Sequence, residues 1–121
     1  MLKNLLKKKI LKQLYLLKQI SLYMKKRVLV ITPHPDDETL GVGGSIAKLI
    51  NQGHDVYILT VSGHLPPLYD RKDYDKTVKE AHKAYDILGI TNSKFLEIPA
   101  TMIGDEPVHS LNNKIVSVIN E

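Results

Sequence analysis

The sequence predicts an α/β fold, a Rossmann-like parallel sheet flanked by helices, behind a basic amphipathic helical extension. Three observations predict it. Short continuous apolar runs alternate with longer segments of helical periodicity, the pattern of strands buried on both faces. Glycines stand where helices need to stop, and Gly, Pro and Asp gather between the periodic segments. The chain has 121 residues, 43% hydrophobic and 25% charged, which suits one small domain and excludes a disordered chain.

The elements follow in order. Residues 1–24 set Leu, Ile and Tyr among lysines, with Leu2, Leu5 and Leu6 at helical spacing, as are Ile10, Leu14 and Leu17. Residues 28–32 (Val-Leu-Val-Ile-Thr) read as a buried strand bounded by Pro33. A helix is expected over 45–52, entered through Gly43 and Gly44 and ended by Gly53. Residues 56–61 form a second buried strand and 62–73 a loop. The next helix runs over 74–88, with Val78, Ala81, Tyr85 and Leu88 on one face and Gly89 as its stop. A third strand covers 94–98, and 111–120 is a last helix or its beginning. Ligands of open parallel sheets bind at the carboxyl ends of strands, which is where residues 34–38 and 62–65 fall.

Charge is segregated. Residues 1–27 hold nine of the 17 Lys and Arg and no acid, whereas the remaining 94 residues hold eight bases against 13 acids. The net charge of +4 therefore belongs to the arm, and the acidic body offers no surface for nucleic acid. Lysines interrupt every apolar run of the arm, so it is neither a bilayer span nor a secretory signal. Three readings of it stand: peripheral contact with an anionic membrane, a solvated or core-packed helical extension, or an arm outside the protein proper, which would then begin near Met24. The absence of Cys removes disulfides and thiolate metal sites, leaving His, Asp and Glu as donors, and fits a cytoplasmic protein.

Chemistry concentrates in Pro33-His34-Pro35-Asp36-Asp37-Glu38. An imidazole and two adjacent carboxylates at a strand end can divide their roles, one acid binding a cation beside His34 and the other facing a substrate. The same residues are also good turn and helix-start chemistry. Gly41-Val42-Gly43-Gly44 is not a dinucleotide loop, because Ile46 stands where a third Gly is needed and the acids upstream would repel a pyrophosphate.

This motif, its Thr39-Leu40-Gly41 and Gly43-Gly44 tail, the basic-to-apolar strand before it, Gly53-His54-Asp55-Val56, Glu80-Ala81 and Leu88-Gly89 together resemble the LmbE-like/PIG-L de-N-acetylase family over roughly residues 25–121. Residues 1–24 then form the extension and 25–121 the N-terminal portion of the family's domain. The resemblance implies a zinc-dependent hydrolase, with Zn2+ or another divalent metal, that removes the acetyl group from an N-acetylated aminosugar. It implies His34 and Asp37 as metal ligands, Asp36 as general base and Glu38 as a structural residue. Gly43 and Gly44 are expected to allow close backbone packing behind the site.

The chain also departs from the family. The third metal ligand, a His from a downstream motif, has no counterpart after residue 98, where His109 is the only His. Two of three ligands are present, and a truncated chain is expected. Thr77 stands where the family commonly places an Arg. Arg71 and His64 are candidate substrate-binding residues, and Tyr69, Arg71 and Asp73 lie on a loop able to cover a sugar. His54 reads as a turn residue and His82 as a surface one. A homo-oligomer is a further expectation, since a cut sheet exposes an edge strand. The alternative function is a catalytically silent α/β fragment acting as a binding or membrane-associated module.

Overall fold

The computed structural model describes residues 1–121, except for the side chains of Leu22 and Tyr23. The elements are α1 (Leu2–Tyr23), β1 (Arg27–Thr32), α2 (Asp37–Asn51), β2 (Asp55–Gly63), α3 (Arg71–Leu88), β3 (Asn92–Pro99), a 3-10 segment (Ala100–Asp105) and α4 (Val108–Ile119). The three strands form one parallel sheet in the order β1-β2-β3, the α/β architecture that the alternation of segments predicts. Register runs from Arg27 opposite Asp55 to Thr32 opposite Thr60, and from Tyr57 opposite Asn92 to Gly63 opposite Pro99.

The alternating pleat explains which residues become core. Val56 and Ile58 of β2 are buried with Ile46 of α2, Ala81 and Tyr85 of α3, and Ile90. Val28, Val30, Leu49, Ile50, Leu88 and Phe95 pack around them. Burying each such side chain contributes about 1.5–3 kcal/mol. On the opposite face, Leu29, Ile31 and Tyr57 line a cavity of about 760 Å³ with Val118 and Ile119 of α4 and with Glu121 beyond it. α4 covers this face loosely, for none of its residues is buried.

Several boundaries differ from expectation. α2 begins at Asp37 rather than at Ser45, so Asp37 and Glu38 lie in its first turn and Asp36 stands just before it. Each interior Gly costs a helix about 1 kcal/mol, which is why the Gly41–Gly44 stretch reads as a break. Acids at the positive end of the helix dipole and the burial of Ile46 outweigh that cost. A Cβ at Gly43 or Gly44 would meet nothing closer than 4.0 Å, so neither is needed for close packing. The 62–73 loop is shorter than expected, because β2 continues to Gly63 and α3 starts at Arg71, capped by Asp70 accepting the Lys72 N–H at 3.0 Å. β3 is longer at both ends, α4 begins at Val108 and includes His109, and the 3-10 segment was not expected. The two glycine stops hold: Gly53 and Gly89 have φ of 85° and 83°, a conformation that favours Gly.

β3 carries one extra residue against β2, since Thr60 pairs with Phe95 but Ser62 pairs with Ile98. Within this bulge Glu97 has φ of 56°. The bulge turns its carboxylate toward Arg71, which grips it at 2.9 and 3.2 Å.

Candidate functional site

The motif occupies the turn from β1 into α2, at the carboxyl end of the sheet. β2 pins this turn. Ser62 donates from both its backbone N–H (2.8 Å) and its hydroxyl (2.7 Å) to the carbonyl of Pro33. His34 and Asp37 face each other: Asp37 Oδ2 lies 3.3 Å from His34 Nδ1 and accepts the His34 backbone N–H at 3.0 Å. Both side chains are about two-fifths exposed, so solvent and a ligand can reach them. Asp36 occupies the position before α2 but spends no hydrogen bond capping it, and it is exposed.

Glu38 points the other way. It is fully buried and accepts from the hydroxyls of Thr32 at 3.5 Å and Thr39 at 3.3 Å. Thr60 and Tyr85 complete this polar patch inside the core, and their hydroxyls have no hydrogen-bond partner among the described residues. Burial, and then the charge of Glu38, push the Tyr85 phenol well above its ordinary pKa. Ser62, Thr32 and Thr60 were not singled out from the sequence, and Tyr85 was read only as part of the apolar face of its helix. The signal lies in the parallel register, which sets the end of β2 beside the turn that follows β1.

His64 comes to the same end of the sheet. Its ring lies 6.4 Å from that of His34 and 4.5 Å from that of Tyr69. Arg71 is turned elsewhere: it binds Glu97 and, through Nε, Asp75 at 3.0 Å, while its guanidinium sits 5.1 Å from the Tyr74 ring centre. These carboxylates raise its pKa further. With Tyr74, Val78, Phe95 and Glu97 it lines a shallow groove between α3 and β3, apart from His34. His54 is a turn residue whose Nδ1 accepts the Lys26 N–H at 3.3 Å, and His82 is exposed on α3.

A nitrogen and a carboxylate oxygen side by side are borderline donors of the kind zinc accepts. Among the described residues, no group of three or more His, Asp or Glu could hold a metal. The site thus supplies a donor pair and not the three protein ligands of a complete catalytic centre.

The chain is similar to several known proteins. The chain matches the family described as PIG-L, GlcNAc-PI de-N-acetylase, over residues 29–121. It is 32% identical over 108 residues to the diacetylchitobiose deacetylase of Thermococcus kodakarensis, covering 79% of this chain and 37% of that protein. It is 30% identical over 106 residues to a probable N-acetyl-α-D-glucosaminyl L-malate deacetylase of Bacillus cereus, covering 81% of this chain and 48% of that protein. Among solved structures, it resembles the N,N'-diacetylchitobiose deacetylase of Pyrococcus horikoshii at a TM-score of 0.56 and 28% identity, over 67% of this chain and 32% of that one. It also resembles the 4-carboxy-2-hydroxymuconate hydratase of Pseudomonas putida at a TM-score of 0.53 and 26% identity, over 60% of this chain and 34% of that one. The same fold therefore serves a different reaction, and the fold alone does not fix the chemistry. The chain spans less than half the length of these relatives. By the match over residues 29–121, it belongs to the PIG-L de-N-acetylase family.

Proposed function

We propose that the chain provides the metal-binding and proton-accepting part of a hydrolase that removes acetyl from an N-acetylated aminosugar. The observation that carries this reading is the division of labour within one turn. His34 and Asp37 pair at 3.3 Å while Asp36, between them in sequence, remains uncommitted. The names of the deacetylases among its relatives support the substrate class, since diacetylchitobiose and the N-acetyl-glucosaminyl conjugates they print are N-acetylated aminosugars.

His34 and Asp37 would hold zinc or another divalent cation. When bound, that cation supplies polarisation of the amide carbonyl. Asp36 accepts a proton from the attacking water and returns it to the departing amine. His64 and Tyr69 offer two rings against which the sugar can pack. Ser62 keeps the turn fixed while these charges change.

The test is acetate release from diacetylchitobiose and N-acetylglucosamine in the presence of Zn2+. Asp36→Asn should lower the rate about 10²–10⁴-fold, the usual contribution of a general base, with Zn2+ affinity retained. Retention of the full rate would remove Asp36 from that role. A second reading, a silent binding module, is favoured by one observation, the donor pair that stops short of three. It predicts Zn2+ or sugar binding with no acetate released by the unsubstituted chain.

A further inference from the structure

We propose that α1 is a docking helix that lies along the surface of an anionic lipid bilayer. This inference is independent of the deacetylase reading and rests on other residues.

α1 runs from Leu2 to Tyr23, about 33 Å at 1.5 Å per residue. Every described side chain on it is exposed. Leu6, Ile10, Leu17 and Ile20 are 62%, 52%, 58% and 53% exposed, whereas Ile46 and Ile58 of the core are 1% exposed. The body of the protein therefore does not cover this apolar surface. At 3.6 residues per turn, Leu2, Leu6, Ile10, Leu17 and Ile20 share one side of the helix. Lys7, Lys8, Lys12 and Lys18 share the opposite side, with Leu11 and Tyr15 among them, and Lys3 and Lys9 fall on the Leu/Ile side.

Charge selects the occupant. α1 holds six lysines, Lys25, Lys26 and Arg27 follow it, and no acid occurs before Asp36. A second copy of this helix would set cation against cation, with no Glu or Asp available for the flanking pairs that stabilise coiled coils. A nucleic acid would neutralise the lysines but leave the Leu/Ile side in water. An anionic bilayer surface satisfies both, taking the apolar side below its headgroups and the lysines at its negative potential. Among the described residues, no helix is long and apolar enough to cross a membrane, so the contact is along the surface. The acidic body, from Val28 onward, would be repelled by the same surface, which confines the contact to the arm.

The geometry keeps docking and chemistry apart. α1 leads into the amino end of β1, and His34 leaves its carboxyl end six residues later, about 20 Å away. Variants in α1 should therefore leave the sheet and the site undisturbed.

The experiment is sedimentation of the whole chain with vesicles of phosphatidylcholine alone or of phosphatidylcholine with phosphatidylglycerol. The chain should bind the anionic vesicles at least about 100-fold more tightly, and added salt should weaken the binding. Joint replacement of Lys7, Lys8, Lys12 and Lys18 by Glu should abolish the anionic preference. Joint replacement of Leu6, Ile10 and Leu17 by Ser should abolish vesicle binding, with the urea midpoint of the body unchanged in both variants. Equal binding to the two vesicles, no binding to either, or undiminished binding of either variant would overturn the proposal. Self-association through α1, or retention by DNA, in place of vesicle binding would overturn it as well.

Discussion

Gly63 is required by its neighbour rather than by its own backbone. A Cβ there would stand 2.3 Å from Cε2 and 2.6 Å from Cδ2 of Tyr74, a residue only 1% exposed. Gly63→Ala should cost about 1–3 kcal/mol by overpacking, read as a lower urea midpoint. Gly44 is the contrast: it lies inside α2 with nothing within 4 Å of the added methyl. Gly44→Ala should stabilise by about 0.5–1 kcal/mol in the same measurement, and equal effects of the two variants would contradict this packing. The sequence invited the opposite assignment, since Gly43-Gly44 follows a striking run of acids while Gly63 looks like an ordinary turn residue. That His34, Asp36 and Asp37 lie together was legible because they belong to one turn. The need for Gly63 was not, because its cause lies eleven positions away on α3.

At the scale of elements, the start of α2 decides whether the motif has a shape. Glu38 is the anchor, buried against Thr32 of β1 and held by Thr39. Removing a buried carboxylate leaves the Thr32 hydroxyl short of an acceptor and opens a cavity between β1 and α3. Glu38→Ala should cost about 1–3 kcal/mol, with loss of amide protection greatest in the first turns of α2. A change below about 0.5 kcal/mol would show that α2 is held by Ile46 and its neighbours alone. Periodicity revealed each strand and α-helix of the body but not the 3-10 segment, and the glycine stops at Gly53 and Gly89 ended α2 and α3 where expected. It missed the true start of α2 because glycines depress local helix propensity while the compensating contacts are tertiary. It missed the bulge at Glu97 for a related reason: nothing in that residue type favours φ of 56°, and its partner Arg71 is remote in sequence.

At the scale of the whole molecule, continuous apolar strands alternating with helices made the parallel sheet legible. Strand order and the unequal cover of its two faces come only from packing. α2 and α3 seal one face, and Tyr74 and Tyr85 of α3 are buried to 1% and 2% exposure. That burial couples stability to alkaline pH. Loss of solvent, reinforced by the nearby charge of Glu97, raises the Tyr74 phenol from 10.0 to about 12, and burial with Glu38 raises Tyr85 as well. Between the unfolded and folded pKa values the unfolded chain has released protons that the folded chain still holds. Stability is therefore complete below pH of about 10 and falls as pH rises toward about 12, by about 1.4 kcal/mol per pH unit for each tyrosine. Tyr74→Phe should remove one of these contributions and flatten the decline. Because the Tyr74 hydroxyl has no hydrogen-bond partner among the described residues, the same variant should lose nothing at neutral pH. Urea midpoints collected from neutral to strongly alkaline pH would measure both effects. Parallel curves for the two proteins would mean that the Tyr74 hydroxyl reaches solvent, and a large loss at neutral pH would mean that it is bonded in the core.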